Sequence, residues 1–203
     1  GDLVTDLQRA GQLGDPLYEK NFLNDTIFQQ HIWTYTTRFG LPASSLAAGG
    51  RVQLVFDGIK MGARIYVNGK LLGTADDQFA RYAFTTRGLL EGAKANTLAV
   101  EFDSAIDCGG RFMACTGGWD WAFYTHTFQG GARIFSKGIW KSVYLAVDQP
   151  AGVSIPHIVP QLSYRGAYPT TRLVDGAHAG FDVDVRVHLS AANPTRGTLS
   201  LSP

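Results

Sequence analysis

The sequence predicts an all-β chain, a first antiparallel sandwich followed by part of a second. Three observations carry that expectation. Run after run of residues alternates apolar with polar side chains at period two, as strands do when they bury one face and wet the other. Asn68-Gly69 stands between two such runs, the strongest short-range signal for a tight hairpin. Finally, 24 glycines punctuate a chain without any long helical pattern, which argues against a parallel α/β sheet.

A short helix opens the chain. Thr5-Asp6-Leu7-Gln8 has the form of a capping box, and Leu3, Leu7 and Ala10 share one face. Gly11 stands where a helix C-terminus favours positive φ, and Asp15-Pro16 begins an irregular stretch. Period two takes over from Trp33. Arg51-Val52-Gln53-Leu54-Val55-Phe56 alternates and stops at Asp57-Gly58. Arg64-Ile65-Tyr66-Val67 runs into Asn68-Gly69, and Leu71-Leu72-Gly73 returns. Leu98, Val100 and Phe102 point to one side of the run that begins at Thr97, and Val143, Leu145 and Val147 do the same over 142–148. These inward positions are the expected core of the first domain.

Pro150 and Gly152 interrupt ladder and register, so residues 149–152 are the expected linker between a domain over 1–148 and a second over 153–203. Beyond it, residues 153–164 read as one strand broken by Pro156 and Pro160. Residues 181–189 form the cleanest alternation in the chain, and 197–201 read as the start of another strand. An immunoglobulin-like sandwich takes about 100 residues and seven strands, whereas the stretch after Pro150 has room for about three. The second domain is therefore expected to be incomplete, with open edges that invite aggregation unless further chain or a partner covers them.

Composition excludes several classes. Hydrophobic residues at 45% and charged residues at 17% support a packed core rather than a disordered chain. A net charge of +1 with no basic block excludes binding to a nucleic-acid phosphate backbone. No stretch approaches the ~20 apolar residues of a membrane helix, so no membrane insertion is expected. The chain opens at Gly1-Asp2-Leu3 without an initiator Met or a signal peptide, as though an upstream part had been removed. Cys108 and Cys115 are separated by six residues in a Gly-rich stretch. A disulfide there would close a small loop worth about 2.5 kcal/mol in the chain-entropy picture, and two free thiols fit the spacing equally well. Asn24-Asp25-Thr26 is a glycosylation acceptor triplet, which points towards a secreted or a lysosomal or vacuolar protein.

One stretch is unlike a generic sandwich: Cys115-Thr116-Gly117-Gly118-Trp119-Asp120-Trp121-Ala122-Phe123-Tyr124. Two glycines free the backbone before a carboxylate set between two indoles. Sugars offer C–H faces that pack on aromatic rings and hydroxyls that bond carboxylates, and Trp119, Asp120 and Trp121 supply both. Core packing by the two indoles, with Asp120 capping a turn, fits the same residues. The three glutamates, Glu19, Glu91 and Glu101, give no catalytic pair, since Glu91 lies in a turn-like Leu-Glu-Gly and Glu101 on the wet face of a strand. The five histidines, His31, His126, His157, His178 and His188, show no metal spacing, so neither a metal nor another cofactor is expected. No serine sits in a nucleophile-elbow setting. Arg81 reads as a strand surface charge or as a guanidinium near the sugar site.

Taken in order along the chain, these motifs resemble the N-terminal part of family 2 glycoside hydrolases, and within them the β-mannosidases. The resemblance covers about residues 1–148 and rests on Gly1-Asp2-Leu3 with Thr5-Asp6-Leu7, Asp15-Pro16-Leu17-Tyr18 and Trp33-Thr34-Tyr35. Phe56-Asp57-Gly58-Ile59, Ile65-Tyr66-Val67-Asn68-Gly69 and Asn96-Thr97-Leu98 follow. The Gly-Trp-Asp-Trp tip and Ser136-Lys137-Gly138-Ile139-Trp140-Lys141-Ser142-Val143-Tyr144-Leu145 close the set. The resemblance implies a galactose-binding-like jelly roll, then an immunoglobulin-like domain, then a catalytic (β/α)₈ barrel that this chain does not contain. It further implies that Asp120 bonds hydroxyls of a β-linked mannoside or related sugar, that Trp119 walls the pocket, and that Trp121 supports it. The leading expectation is a non-catalytic piece of a retaining exo-β-mannosidase-like enzyme, without a catalytic residue of its own. A β module with a structural or assembly role, and a free-standing sugar-binding module, are the alternatives.

Overall fold

The computed structural model describes residues 2–15, 18–19, 21, 31–46, 51–86, 88–102, 137–148, 152–166, 179–191, 194 and 196–200. They fall into two compact units, Gly1–Val147 and Asp148–Pro203. The chain is all-β, and its helical elements with described bounds are α1 (Leu3–Arg9) and one 3₁₀ turn, Ala43–Ser45.

In the first unit, β1 (Trp33–Gly40), β6 (Ala95–Phe102), β3 (Ala63–Val67) and β4 (Lys70–Ala75) form one sheet in the order β1-β6-β3-β4. Every pairing in it is antiparallel. β5 (Tyr82–Thr85), β2 (Arg51–Phe56) and β7 (Val143–Asp148) form a second sheet in the order β5-β2-β7. The inward residues anticipated from alternation meet in one core: Leu54 and Phe56 from β2, Ile65 and Val67 from β3, and Leu98, Val100 and Phe102 from β6. Aromatic edges lock it, with Phe56 against Phe84 at 6.3 Å and Tyr35 against Phe102 at 5.8 Å, both T-shaped. Val143 and Leu145 pack on this core, but Val147 at the end of β7 is exposed, contrary to the alternation.

Asn68 and Gly69 turn the β3–β4 hairpin with φ of +49° and +75°. Both central residues of a type I′ turn need positive φ, and Asn and Gly are the residues that tolerate it. The turn is tied down from outside. Asn68 Nδ2 donates to Asn96 Oδ1 and to the Leu89 carbonyl, each at 2.8 Å, while Thr97 N donates to Asn68 Oδ1. Fully buried Asn96 accepts from Glu91 N at 2.8 Å and donates to the carbonyls of Glu91 at 2.8 Å and Lys94 at 3.3 Å. The Asn-Thr-Leu motif thus holds a polar network in which each amide is satisfied.

The helix differs from its expectation at the start. Asp2, not Thr5, is the N-cap, its Oδ1 accepting from Val4 N at 3.0 Å, and Thr5 lies within the first turn. The buried face is Leu3, Val4 and Leu7, with Ala10 exposed; Gly11 takes φ +68° as expected. Leu3, Val4, Leu7 and Leu13 form a small cluster against Trp33 and Tyr35.

The second unit contains, among its described residues, β8 (Val153–Tyr164) paired antiparallel with β9 (Phe181–Ala191). β8 runs unbroken through Pro156 and Pro160, contrary to the expected break. Among the described residues it pairs with one strand, so a missing N–H need not empty a ladder position, and a register shift between Ser154 and His157 absorbs Pro156. Residues 196–200 form no strand, so the third strand expected there does not begin within them. Cross-strand pairs sort by face: Ile158 with Val187, Leu162 with Val183 and Tyr164 with Phe181 on one side, His157 with His188 and Gln161 with Asp184 on the other.

Candidate functional site

Trp119, Asp120, Trp121, Cys108, Cys115 and Asn24 lie outside the described residues. The frame that carries the tryptophan–aspartate stretch is described at both ends. On one side β6 ends at Phe102, which is fully buried and stands opposite both Trp33 of β1 and Ala63 of β3. On the other side the chain is gripped at 137–140. The Lys137 carbonyl accepts from Leu3 N at 2.9 Å, Gly138 bridges Asp2, and Ile139 bridges Ile59. Trp33 packs against α1, and α1 is bonded to Lys137, so both anchors belong to the end of the sandwich that α1 closes.

Polar groups reinforce that end. Tyr35 Oη donates to Asp6 Oδ2 at 2.9 Å. Burial above all, then the Asp6 hydrogen bond and the charges of Asp6 and Asp2, raises the Tyr35 phenol well above its ordinary value. Lys60 Nζ lies 3.4 Å from Asp2 Oδ2, so Asp2 caps the helix and pairs with a largely buried ammonium at once. Trp33 Nε1 is buried and has no hydrogen-bond partner among the described residues, a donor in a place where most are satisfied.

The segments 56–59 and 138–142, distant in sequence, are direct partners. The Gly58 carbonyl accepts from Trp140 N at 3.1 Å and Lys141 N at 3.2 Å, Asp57 N donates to the Ser142 carbonyl, and Lys60 N donates to the Gly138 carbonyl. The Trp140 indole lies so close that a Cβ on Gly58 would stand 2.7 Å from its Cε2. Lys141 Nζ sits 4.3 Å from the centre of the same indole. Beside them Arg81 ties three strands together: its Nε donates to Asp57 Oδ1 at 2.9 Å and its Nη2 to Tyr144 Oη at 2.7 Å. The hydrogen bond with Tyr144 leads the causes that raise the Arg81 pKa. Of the two expectations for Arg81, the described contacts give it a structural partner on each neighbouring strand.

The remaining candidates are accounted for by pairing. Glu101 accepts from Arg64 Nε and Nη2 at 3.1 and 2.9 Å across the β3–β6 ladder, and exposed Glu91 pairs with Lys94 at 2.8 Å. Among the described residues no three His, Cys, Asp or Glu side chains gather in one place. A cavity of about 470 Å³ lies between the sheets, lined by Tyr35, Phe39, Leu54, Val100, Val143 and Leu145 among others. Its walls are mostly apolar, with hydroxyls from Tyr35, Thr36, Thr37 and Tyr144 but no carboxylate to fix the orientation of a sugar.

The comparisons with known proteins bear on this frame. The profile of the glycosyl hydrolase 2 galactose-binding domain-like family matches residues 1–111. The chain belongs to this family. The match takes in the hairpin, the Asn96 network and the Phe-Asp-Gly-Ile partner strand, and it ends before Trp119. The chain is similar to β-mannosidase of Rattus norvegicus, 28% identical over 68% of this chain and 18% of the relative. It is also similar to β-mannosidase of Mus musculus, 24% identical over 92% of this chain and 22% of the relative. It therefore spans about a fifth of the length of these curated relatives. In fold it resembles the β-D-mannosidase of Dictyoglomus thermophilum, with a TM-score of 0.58, 22% identity and coverage of 94% of this chain and 28% of that one. The exo-chitosanase of Amycolatopsis orientalis gives the same TM-score at 20% identity, covering 79% of this chain and 18% of its own. The family 2 galactose-binding-like module is thus an N-terminal module of larger hydrolases.

Proposed function

We propose that this module is the N-terminal, non-catalytic part of a retaining exo-β-mannosidase-like enzyme, and that its Trp119-Asp120-Trp121 stretch completes the sugar pocket of a downstream catalytic barrel. The observation that carries the proposal is the run of β-mannosidase relatives, which align with 64% to 92% of this chain while it spans only about a fifth of their length. Asp120 accepts hydrogen bonds from hydroxyls of the terminal sugar, Trp119 packs on its C–H face, and Trp121 backs the pair. The nucleophile and the acid/base, two carboxyl groups about 5–5.5 Å apart in a retaining enzyme, come from the barrel.

Hydrogen bonds to a charged group contribute about 1.5–3 kcal/mol each. A carboxylate bonded to two hydroxyls is then worth about two orders of magnitude or more in kcat/KM. In the full-length protein, Asp120→Ala should lower kcat/KM on an aryl β-mannoside by that factor. Unchanged kinetics would remove Asp120 from the pocket, and a full-length protein with no β-mannosidase activity would favour the structural module.

A further inference from the structure

We propose that His157 and His188 form a two-imidazole site for a divalent transition-metal ion, of the Cu²⁺, Ni²⁺ and Zn²⁺ class, on the polar face of the β8–β9 ribbon. The two residues are ladder partners, directly opposite one another, and their rings stand 6.1 Å apart between centroids and nearly perpendicular. Directly opposed strand residues hold their Cβ atoms about 4.5–5.5 Å apart. Metal–imidazole bonds of about 2.0–2.1 Å ask for two nitrogens about 3 Å apart on the same side. Both side chains are exposed, so rotation about χ1 and χ2 brings the nitrogen edges together without moving the backbone. The register shift between Ser154 and His157 is placed where a bulge re-aims the side chain that follows it.

The neighbours on this face set the strength of the site. One row away Ser154 Oγ donates to the Ser190 carbonyl at 3.4 Å. On the other side the next rows are Val159 with Arg186, Gln161 with Asp184, and Ser163 with Asp182, the last bonded to Arg165. Arg186 opposes a bound cation and Asp184, one row further, offsets it in part. Two ligands with open positions left for water or another donor suit Cu²⁺ best, by the usual order of divalent affinities. The site lies in the second unit and owes nothing to the sugar assignment.

The test is a Cu²⁺ titration of the whole chain at pH 7.5, followed by calorimetry and by electron paramagnetic resonance. The wild type should bind one tight equivalent with the signature of two imidazole nitrogens. His157→Asn and His188→Asn should each weaken that equivalent by about tenfold or more, the double variant should weaken it further than either, and Arg186→Gln should tighten it. Wild-type affinity in either single variant overturns the proposal, as does a one-nitrogen spectrum. Far-UV circular dichroism checks that the variants stay folded, and the wild-type spectrum decides the matter if they do not.

Discussion

Asn96→Ala takes four hydrogen bonds out of the first unit in one step. The amide accepts from Glu91 N and Asn68 Nδ2 and donates to the carbonyls of Glu91 and Lys94, three bonds of 2.8 Å and one of 3.3 Å. Each such bond contributes about 1 kcal/mol net, and the partners are left in a site with no exposed Asn96 surface, where stranding them adds to the loss. The expected destabilisation is about 3–4 kcal/mol, a large part of the 5–15 kcal/mol typical of a domain. With a urea m-value of about 1–3 kcal/mol per M, the midpoint should fall by roughly 1–4 M at unchanged slope. All four tryptophans lie before residue 148, so tryptophan fluorescence follows this unit. Asn96→Asp keeps the shape but turns an acceptor towards two carbonyls, and should cost at least as much. A loss under about 1 kcal/mol for Asn96→Ala would refute the view that this amide, rather than the hairpin's own turn chemistry, holds 88–97 against the sandwich.

Gly58→Ala drives a methyl to 2.7 Å from the Trp140 indole, so the variant should lose about 1–3 kcal/mol of stability and shift Trp140 fluorescence; an unperturbed midpoint would mean the indole moves away freely. Tyr35 gives a pH dependence whose sign follows from its raised pKa. The folded state holds the phenol proton more tightly than the unfolded chain, so this contribution is intact below about pH 10 and is lost as pH rises above it towards the folded value. Urea midpoints at pH 9 and pH 11 should therefore fall more steeply in the wild type than in Tyr35→Phe; equal slopes would contradict the assignment.

The proline-bearing strand shows how local rules can be overridden. Pro156 and Pro160 forecast a break, because a strand with two neighbours cannot spare the N–H groups, yet β8 has one described neighbour and continues. The helix start misled for a related reason. Thr5 matches a capping pattern, but Asp2 reaches Val4 N and also meets Lys60, a partner 58 residues away that no local window contains. The candidate sugar site was legible only as residue types and order: two indoles and a carboxylate at 119–121 fit a sugar contact and core packing alike, and their placement falls outside the described residues.

What the sequence by itself determined is most of the strands of the first unit, most of their inward faces and the Asn68-Gly69 turn. Period-two alternation and positive-φ preference are properties of a few consecutive residues, so they can be read without knowing what lies across the sheet. The tertiary structure alone decided the partnerships: Gly58 under Trp140, Arg81 between Asp57 and Tyr144, Asn68 with Asn96, and His157 opposite His188. Each joins residues more than 20 positions apart. Ladder register and sheet order bring them within bonding distance, and those depend on the fit of whole strands to one another rather than on the identity of either residue.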